Sequence, residues 1–384
     1  MTDRVTIARL TAEGLSRFAD RLQANPVMLG FDGFVDSIID VVDQRHDPQQ
    51  YDAVPTIERF GQKVLGAAGL SANYELVVKL QKLGGNGPIM ANAVATLGLP
   101  TTYIGALGHP SIHPAFEELA KIAECHTVME PGYTDALEFD DGKVMLGKYK
   151  HLNSFGWQHL MDTVGREELA RIVGRSRLLG MMNWSLMPGT DDAWRNMIDQ
   201  FLGDVPEPTE GRRVIFVDLA DPEKRTREDL REALDMCTGF GRHGDVLLGL
   251  NLKEAVQVAE VLEVDATDDP DAAIEPMAEA FREALQLDAV VIHPRAGAAA
   301  AVLDRQSGSV ASGSYAGPYV AQPKLSTGAG DNFNAGFCLG YLAGLNVEQM
   351  LCAATATSGY YVRNAGSPTL QQLADFCNDL PEPE

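Results

Sequence analysis

The chain has 384 residues, 45% of them hydrophobic and 22% charged, and carries a net charge of −23. That balance excludes a disordered or fibrous chain, and the charge argues against a nucleic-acid or anionic-membrane partner; phosphate ligands stay open, because local amides decide such sites. Five cysteines without Cys-x-x-Cys spacing read as reduced thiols, and the lack of a leader-like or membrane-length apolar run leaves the cytoplasm as the expected location.

Leu15, Phe18, Ala19 and Leu22 recur at helical spacing between Thr11 and Gln23, and Pro26 then introduces the buried-strand run Val27–Gly30. Beyond it, Asp32 and Asp36 flank Gly33. Open α/β sheets collect ligands past the carboxyl ends of their strands, so these acids are either hydroxyl acceptors for a polyol or solvated loop residues. A polar loop from Gln44 to Asp52 and an amphipathic helix from Thr56 to Leu65 follow. Gly84-Gly85-Asn86 then opens a helix that closes with Leu97-Gly98. The paired glycines permit close backbone approach to a ligand, and Asn86 or Asn92 can donate and accept beside them.

Thr101–Ala106 reads as a strand and Pro114–Ala123 as a helix; His109 and His113, separated by Pro110, read as loop residues rather than metal ligands. Leu137–Leu146 alternates around Asp141-Gly142, a hairpin signal. Leu178–Trp184 and Val214–Pro222 are further buried-strand candidates, and the second leads to a helix from Arg227 to Cys237. Such alternation implies a mostly parallel sheet. Asp245–Leu250 runs into Asn251-x-x-Glu254, a spacing that a helix cap explains as well as a ligand set does. Val290–His293 leads to Arg295, either a surface cation or a nucleotide-phosphate partner.

The strongest signal is Ser326-Thr327-Gly328-Ala329-Gly330-Asp331-Asn332-Phe333. Phe333, Phe337 and Tyr341 are four apart, so the glycines form a turn at a helix N-terminus, where unpaired amides and the helix dipole hold anions. Asp331 is therefore either a helix cap or a base that takes a proton from an attacking hydroxyl. Gly336, Gly340 and Gly344 predict a helix face packed closely against another element.

Thr327-Gly328-Ala329-Gly330-Asp331-x-Phe333-x-Ala335-Gly336 resembles the C-terminal signature of the ribokinase-like, or PfkB-type, carbohydrate kinases. Asp36, Gly84-Gly85, Asn251-x-x-Glu254 and Gly328–Asp331 follow in the family's order across almost the whole chain. The resemblance implies one three-layer α/β domain over residues 1–384, a mostly parallel sheet flanked by helices, and a small β-sheet lid built from about 33–54 and 126–150. It implies Asp331 as catalytic base, with Gly328, Ala329 and Gly330 as its anion hole. Sugar ligands would come from Asp32, Asp36, Gly84, Gly85, Asn86 and Asn92, and nucleotide contacts from Asn251, Glu254, Arg295, Thr327, Gly328, Gly330 and Asn364. Glu254 would hold Mg2+ through water, with ATP as co-substrate and ADP the alternative. A sugar is the expected acceptor, with a nucleoside kinase or a non-catalytic binding protein as the other readings, and lids of such kinases often pair between subunits. Leu325 stands where the family usually has an Asp that helps hold a monovalent cation, and Ile89 where it usually has an Asn; the later Asn92 is more reminiscent of ADP-dependent sugar kinases.

Overall fold

Short apolar runs bounded by glycine, proline or acids become strands, and their end residues define the functional face. The computed structural model describes residues 3–267, 269 and 273–384. Its strands are, in chain order, β1 (Val27–Phe31), β2 (Phe34–Arg45), β3 (Tyr51–Ala53), β4 (Leu76–Gly84), β5 (Thr101–Gly105), β6 (Glu124–Thr127) and β7 (Gly132–Phe139). They continue as β8 (Gly142–Lys148), β9 (Leu178–Met181), β10 (Val214–Asp218), β11 (Asp245–Asn251), β12 (Ala289–His293), β13 (Gly297–Asp304) and β14 (Ser309–Ala316).

Nine of them form one sheet in the order β14-β13-β12-β11-β10-β9-β1-β5-β6. The strands from β12 round to β6 run parallel, and β13 alone runs against them, pairing antiparallel with both β12 and the edge strand β14. Strands β1, β9 and β10 are buried along their whole length, as expected for a sheet covered on both faces. Helices Arg4–Phe18, Asn86–Thr96, Ala329–Leu342, Val347–Asn364 and Leu370–Asn378 contribute to the core on one face, and those between Trp157 and Leu285 to the core on the other. The result is the mostly parallel sheet expected from the alternation of the sequence, in the three-layer arrangement that the resemblance implies.

Sheet order reverses between β1 and β9. The chain leaves β1 toward β5 and β6, then crosses to β9 and proceeds outward to β12. A crevice opens at such a reversal, beyond the carboxyl ends of the strands. Over it stands a second, five-stranded sheet of β3, β2, β7 and β8, with β4 on β2. Ile39, Val41, Val54 and Leu137 form a separate small apolar cluster there, joined by Phe60 of the helix Ile57–Gly66.

Several local details differ from the sequence reading. The first helix starts at Arg4 rather than Thr11, because Asp3 Oδ1 accepts from the Thr6 amide at 3.0 Å and caps it. The hairpin turns on Asp140-Asp141, one residue before the expected Asp141-Gly142, since Phe139 pairs with Gly142. Gly344 lies past the end of its helix at φ 68, so the close-packed face comprises Gly336 and Gly340 alone. The cysteines are unpaired: Cys237, Cys338, Cys352 and Cys377 are buried and Cys125 is half-buried. Among the described residues no helix is long and apolar enough to cross a membrane.

Candidate active site

Reading the central strands in sheet order, their carboxyl ends carry His293 on β12, Asn251 on β11, Asp218 on β10, Asn183 just past β9 and Asp32 just past β1. Parallel register brings these ends level, with Asn251 opposite His293 and Asp218 opposite Gly249. A polar row therefore crosses the rim of an apolar sheet. Two residues on this rim adopt left-handed backbone, Asn183 at φ 54 and Ala220 at φ 60. Strain of this kind outside glycine persists where the surroundings require a particular side-chain placement.

Asp32 is buried, and its oxygens already have protein donors: the Gly87 amide at 3.0 Å, the Tyr103 hydroxyl at 3.2 Å and the Asn183 amide at 2.8 Å. Burial outweighs those donors and pushes its pKa up to about 6. Asp36 comes from β2 of the small sheet, is nearly buried, and is held by Thr134 with Lys82 and Lys143 nearby. The Gly84-Gly85 turn lies against both acids. A Cβ on Gly84 would fall 2.5 Å from Asp36 Oδ2, and one on Gly85, which has φ 95, would fall 2.6 Å from Asp32 Oδ2. The paired glycines are thus required by the approach of two carboxylates to the backbone.

Gly328, at φ 92, is the N-cap of the helix Ala329–Leu342 and makes no side-chain capping bond. Asp331 is therefore not the cap. It is buried in the helix's first turn, and its pKa is pushed well up, first by burial and then by Asp218 and Asp32. The Asn86 side chain works the other way, favouring the ionised forms of both Asp331 and Asp218. The Tyr361 hydroxyl donates to Thr327 O at 2.9 Å and fixes the turn from behind. Asn332 Nδ2 ties the turn further through Gly328 O at 2.9 Å.

Asn251 and Glu254 form a reciprocal capping box: Asn251 Oδ1 accepts from the Glu254 amide at 3.0 Å, and Glu254 Oε2 accepts from the Asn251 amide at 2.9 Å. Capping is not the whole of it, since Glu254 is buried and its pKa is raised well above normal by burial and by Asp218. Asp218, read in the sequence only as part of a buried strand, accepts from the Ala220 amide at 2.7 Å and from Asn334 Nδ2 at 3.0 Å, and burial pushes its pKa up to about 6.

A cleft of about 580 Å³ lies beside the Thr327–Gly330 turn, between β12 and the helix Val347–Asn364. Asn251, Arg295, Thr327, Gly330 and Phe333 line it, as does His293, whose ring lies on that of Phe333 with centroids 4.5 Å apart. Burial lowers the His293 pKa to about 4, so its imidazole is neutral at neutral pH. Two expected ligands stand apart. Asn364 is exposed and bonds back to Tyr360 O at 2.9 Å, while Ser358, Gly359 and Val362 of the same helix line the cleft. Asn92 lies farther along the helix Asn86–Thr96 and, among the described residues, makes no side-chain hydrogen bond to the site acids.

A buried acid at a glycine-built helix N-terminus, a cleft beside it and a small sheet over an acid-lined crevice are the site of a carbohydrate kinase of ribokinase-like fold. Solved structures share this architecture. Adenosine kinase from Sinorhizobium meliloti superposes with a TM-score of 0.60 at 18% identity, covering 93% of this chain and 99% of that one. Ribokinase from Thermotoga maritima gives 0.59 at 15% identity, covering 92% and 99%. The chain belongs to the prokaryotic ketohexokinase family, whose model matches residues 3–380. It is also similar to a ketohexokinase of Haloferax volcanii, 28% identical over 361 residues, 94% of this chain and 92% of that protein.

Proposed function

We propose that this kinase transfers the terminal phosphoryl group of ATP to a primary hydroxyl of a ketohexose, with Asp331 as general base. The observation that carries the reading is the placement of Asp331, buried in the first helical turn after the Gly328 N-cap and near enough to Asp218 and Asp32 to feel their charge. A raised pKa makes its carboxylate a better proton acceptor than an exposed one. The ketohexose comes from the name of the Haloferax volcanii relative, with Asp36 and the Gly84–Asn86 turn as its holders.

In this mechanism Asp36 accepts from sugar hydroxyls and orients the acceptor toward the cleft. Asp331 takes the proton of the attacking hydroxyl as its oxygen bonds to phosphorus. The amides of Ala329 and Gly330 meet the negative charge on the transferring group. Among the described residues, Asp218, Glu254 and Asp331 form no ion pair with a lysine or arginine, and Glu254 uses Oε2 for its capping bond. Such an unneutralised carboxylate group fits Mg2+, which keeps most of its waters; Glu254, and Asp218 beside it, would hold the ion. Bound there, Mg2+ would neutralise phosphate charge. Five unpaired cysteines fit a reducing cytoplasm. We also infer a homodimer formed through the small sheet.

The test is a phosphoryl-transfer screen with MgATP and MgADP run separately against ketohexoses, aldohexoses, pentoses and nucleosides, with Asp331→Asn protein beside each. Ketohexose phosphorylation from ATP that falls by at least about a thousandfold in the variant, with sugar-induced thermal stabilisation kept, is expected. Greater turnover with MgADP overturns the donor, and near-wild-type turnover in Asp331→Asn overturns the base.

A further inference from the structure

The acids of this crevice lack matching bases. Asp32, Asp218, Glu254 and Asp331 are all buried, and none of them pairs with a lysine or arginine among the described residues. A transferring phosphoryl group adds negative charge to this space. Helix amides supply part of the stabilisation, and a cation aimed at the same place would supply more.

Lys143, near the start of β8 in the small sheet, is in position to do this. Its Nζ donates to Thr327 Oγ1 at 3.2 Å, a contact between segments 184 residues apart. Thr327 immediately precedes the Gly328–Asp331 turn. The same ammonium lies close enough to Asp36 to favour its ionised form. One cation thus lies between the sugar-side acid and the phosphate-side turn, the region where the transferred group must pass.

Sheet register explains the placement. Glu138 pairs with Lys143, Ala136 with Met145 and Thr134 with Gly147, while Asp36 pairs with Thr134 on the neighbouring strand. Directly paired residues share a face and alternate along each strand, so Lys143, Thr134 and Asp36 lie on one face. Ile39, Leu137 and Val144 lie on the other, packed with Phe60. The hairpin tip is tied down: Asp141 Oδ1 accepts from the Ile57 amide at 2.8 Å, and the Asp140 amide donates to Pro55 O at 2.8 Å. Lys148, at the far end of β8, is engaged elsewhere by Asp135 at 2.8 Å. Lys143 has no carboxylate within ion-pair distance among the described residues, so its charge is available to a ligand.

We propose that Lys143 is a catalytic residue of the phosphoryl transfer, exchanging its bond to Thr327 for one to a non-bridging oxygen of the transferring group. The proposal rests on the kinase reading above. In the step, the acceptor oxygen bonds to the terminal phosphorus, the bond from that phosphorus to the bridging oxygen breaks, the acceptor's proton passes to Asp331, and the nucleoside diphosphate leaves. Lys143 remains protonated throughout. Because the charge it meets is greatest in the transition state, its removal lowers kcat more than it raises the sugar KM.

The experiment compares wild type with Lys143→Ala, Lys143→Met, Lys143→Arg and Lys148→Ala, using MgATP and D-fructose, with melting temperatures taken with and without sugar. Expected are a kcat loss of about 100- to 1,000-fold in the alanine and methionine variants, a sugar KM within about threefold of wild type, and at least tenfold recovery with arginine. Lys148→Ala stays within about twofold. A kcat above one third of wild type in Lys143→Ala overturns the proposal. So does a loss of the sugar-induced melting shift that arginine does not restore, since Lys143 would then serve the small sheet's structure. Absence of transfer in wild type itself is a separate outcome and sinks the parent reading instead.

Discussion

Asp218 shows what one carboxylate costs and contributes when it is placed among others. Its pKa of about 6, like that of Asp32, exceeds the ordinary value of 3.8 because burial disfavours the charged form. The folded protein therefore binds these protons more tightly than the unfolded chain does. The stability they contribute is full below about pH 4 and is lost as pH rises through about 6. Asp218→Asn removes the buried charge and can still be satisfied, since Asn334 Oδ1 is buried without a partner among the described residues and an amide flip presents it to the new Nδ2. The variant is expected to melt higher than wild type at pH 7.5, by the equivalent of ~2 kcal/mol, with the gap closing toward pH 4 in calorimetric scans. Asp218 also raises the Asp331 pKa, so the acidic limb of the kcat–pH profile should move to lower pH in the variant. An unmoved limb would show that the two carboxylates do not interact. Asp218 was not legible in the sequence because Val217-Asp218-Leu219 belongs to no local pattern; its role arises only where three strand ends meet. Asp331 and Glu254 were legible, because turn glycines and an Asn-x-x-Glu spacing are visible along a single stretch.

At the scale of elements, the helix that carries Asp331 is positioned by its contact with the helix Val347–Asn364. A Cβ on Gly336 would lie 2.5 Å from Thr357 Oγ1, 2.7 Å from Ala353 O and 2.8 Å from Ala354 Cα. Gly336→Ala gains roughly 1 kcal/mol of helix propensity and loses about 1–3 kcal/mol to overpacking. Overpacking wins, because two of the three obstructing atoms belong to the backbone of a packed helix. The expected result is a net loss of up to about 2 kcal/mol in denaturant titration, together with lower kcat as the helix N-terminus shifts. Unchanged or higher stability would mean that the helices separate easily. The packing of Gly336 and Gly340 could be read from their spacing, whereas the β13–β14 hairpin could not. Gly297–Ala301 is an alanine run with helix propensity, yet burial between β12 and β14 holds it extended. Strand β4 escaped the reading too, since its alternation is broken by a register shift against β2 between Ile38 and Ile39.

For the whole molecule, the question is how the small sheet ends. Helices cover both faces of the large sheet, but among the described residues β4 is hydrogen-bonded to β2 alone and leaves its other edge free. Leu76, Val78 and Leu80 on this nine-residue strand are 44%, 52% and 55% exposed. A long, apolar, open edge recruits another chain unless charge or proline blocks it. Lys79, which pairs with Asp40 at 3.3 Å, and Lys82, which faces Asp36, are both drawn toward the strand's own sheet. The same strand runs directly into the Gly84-Gly85 turn, so pairing between two copies would stiffen the backbone that lies against Asp36. Light scattering is expected to give about twice the chain mass for wild type and a single-chain mass for Val78→Lys combined with Leu80→Glu. The monomer should also show a raised sugar KM with kcat reduced less. A monomeric wild type would refute the dimer, while a dimer that survives both substitutions would place its interface elsewhere.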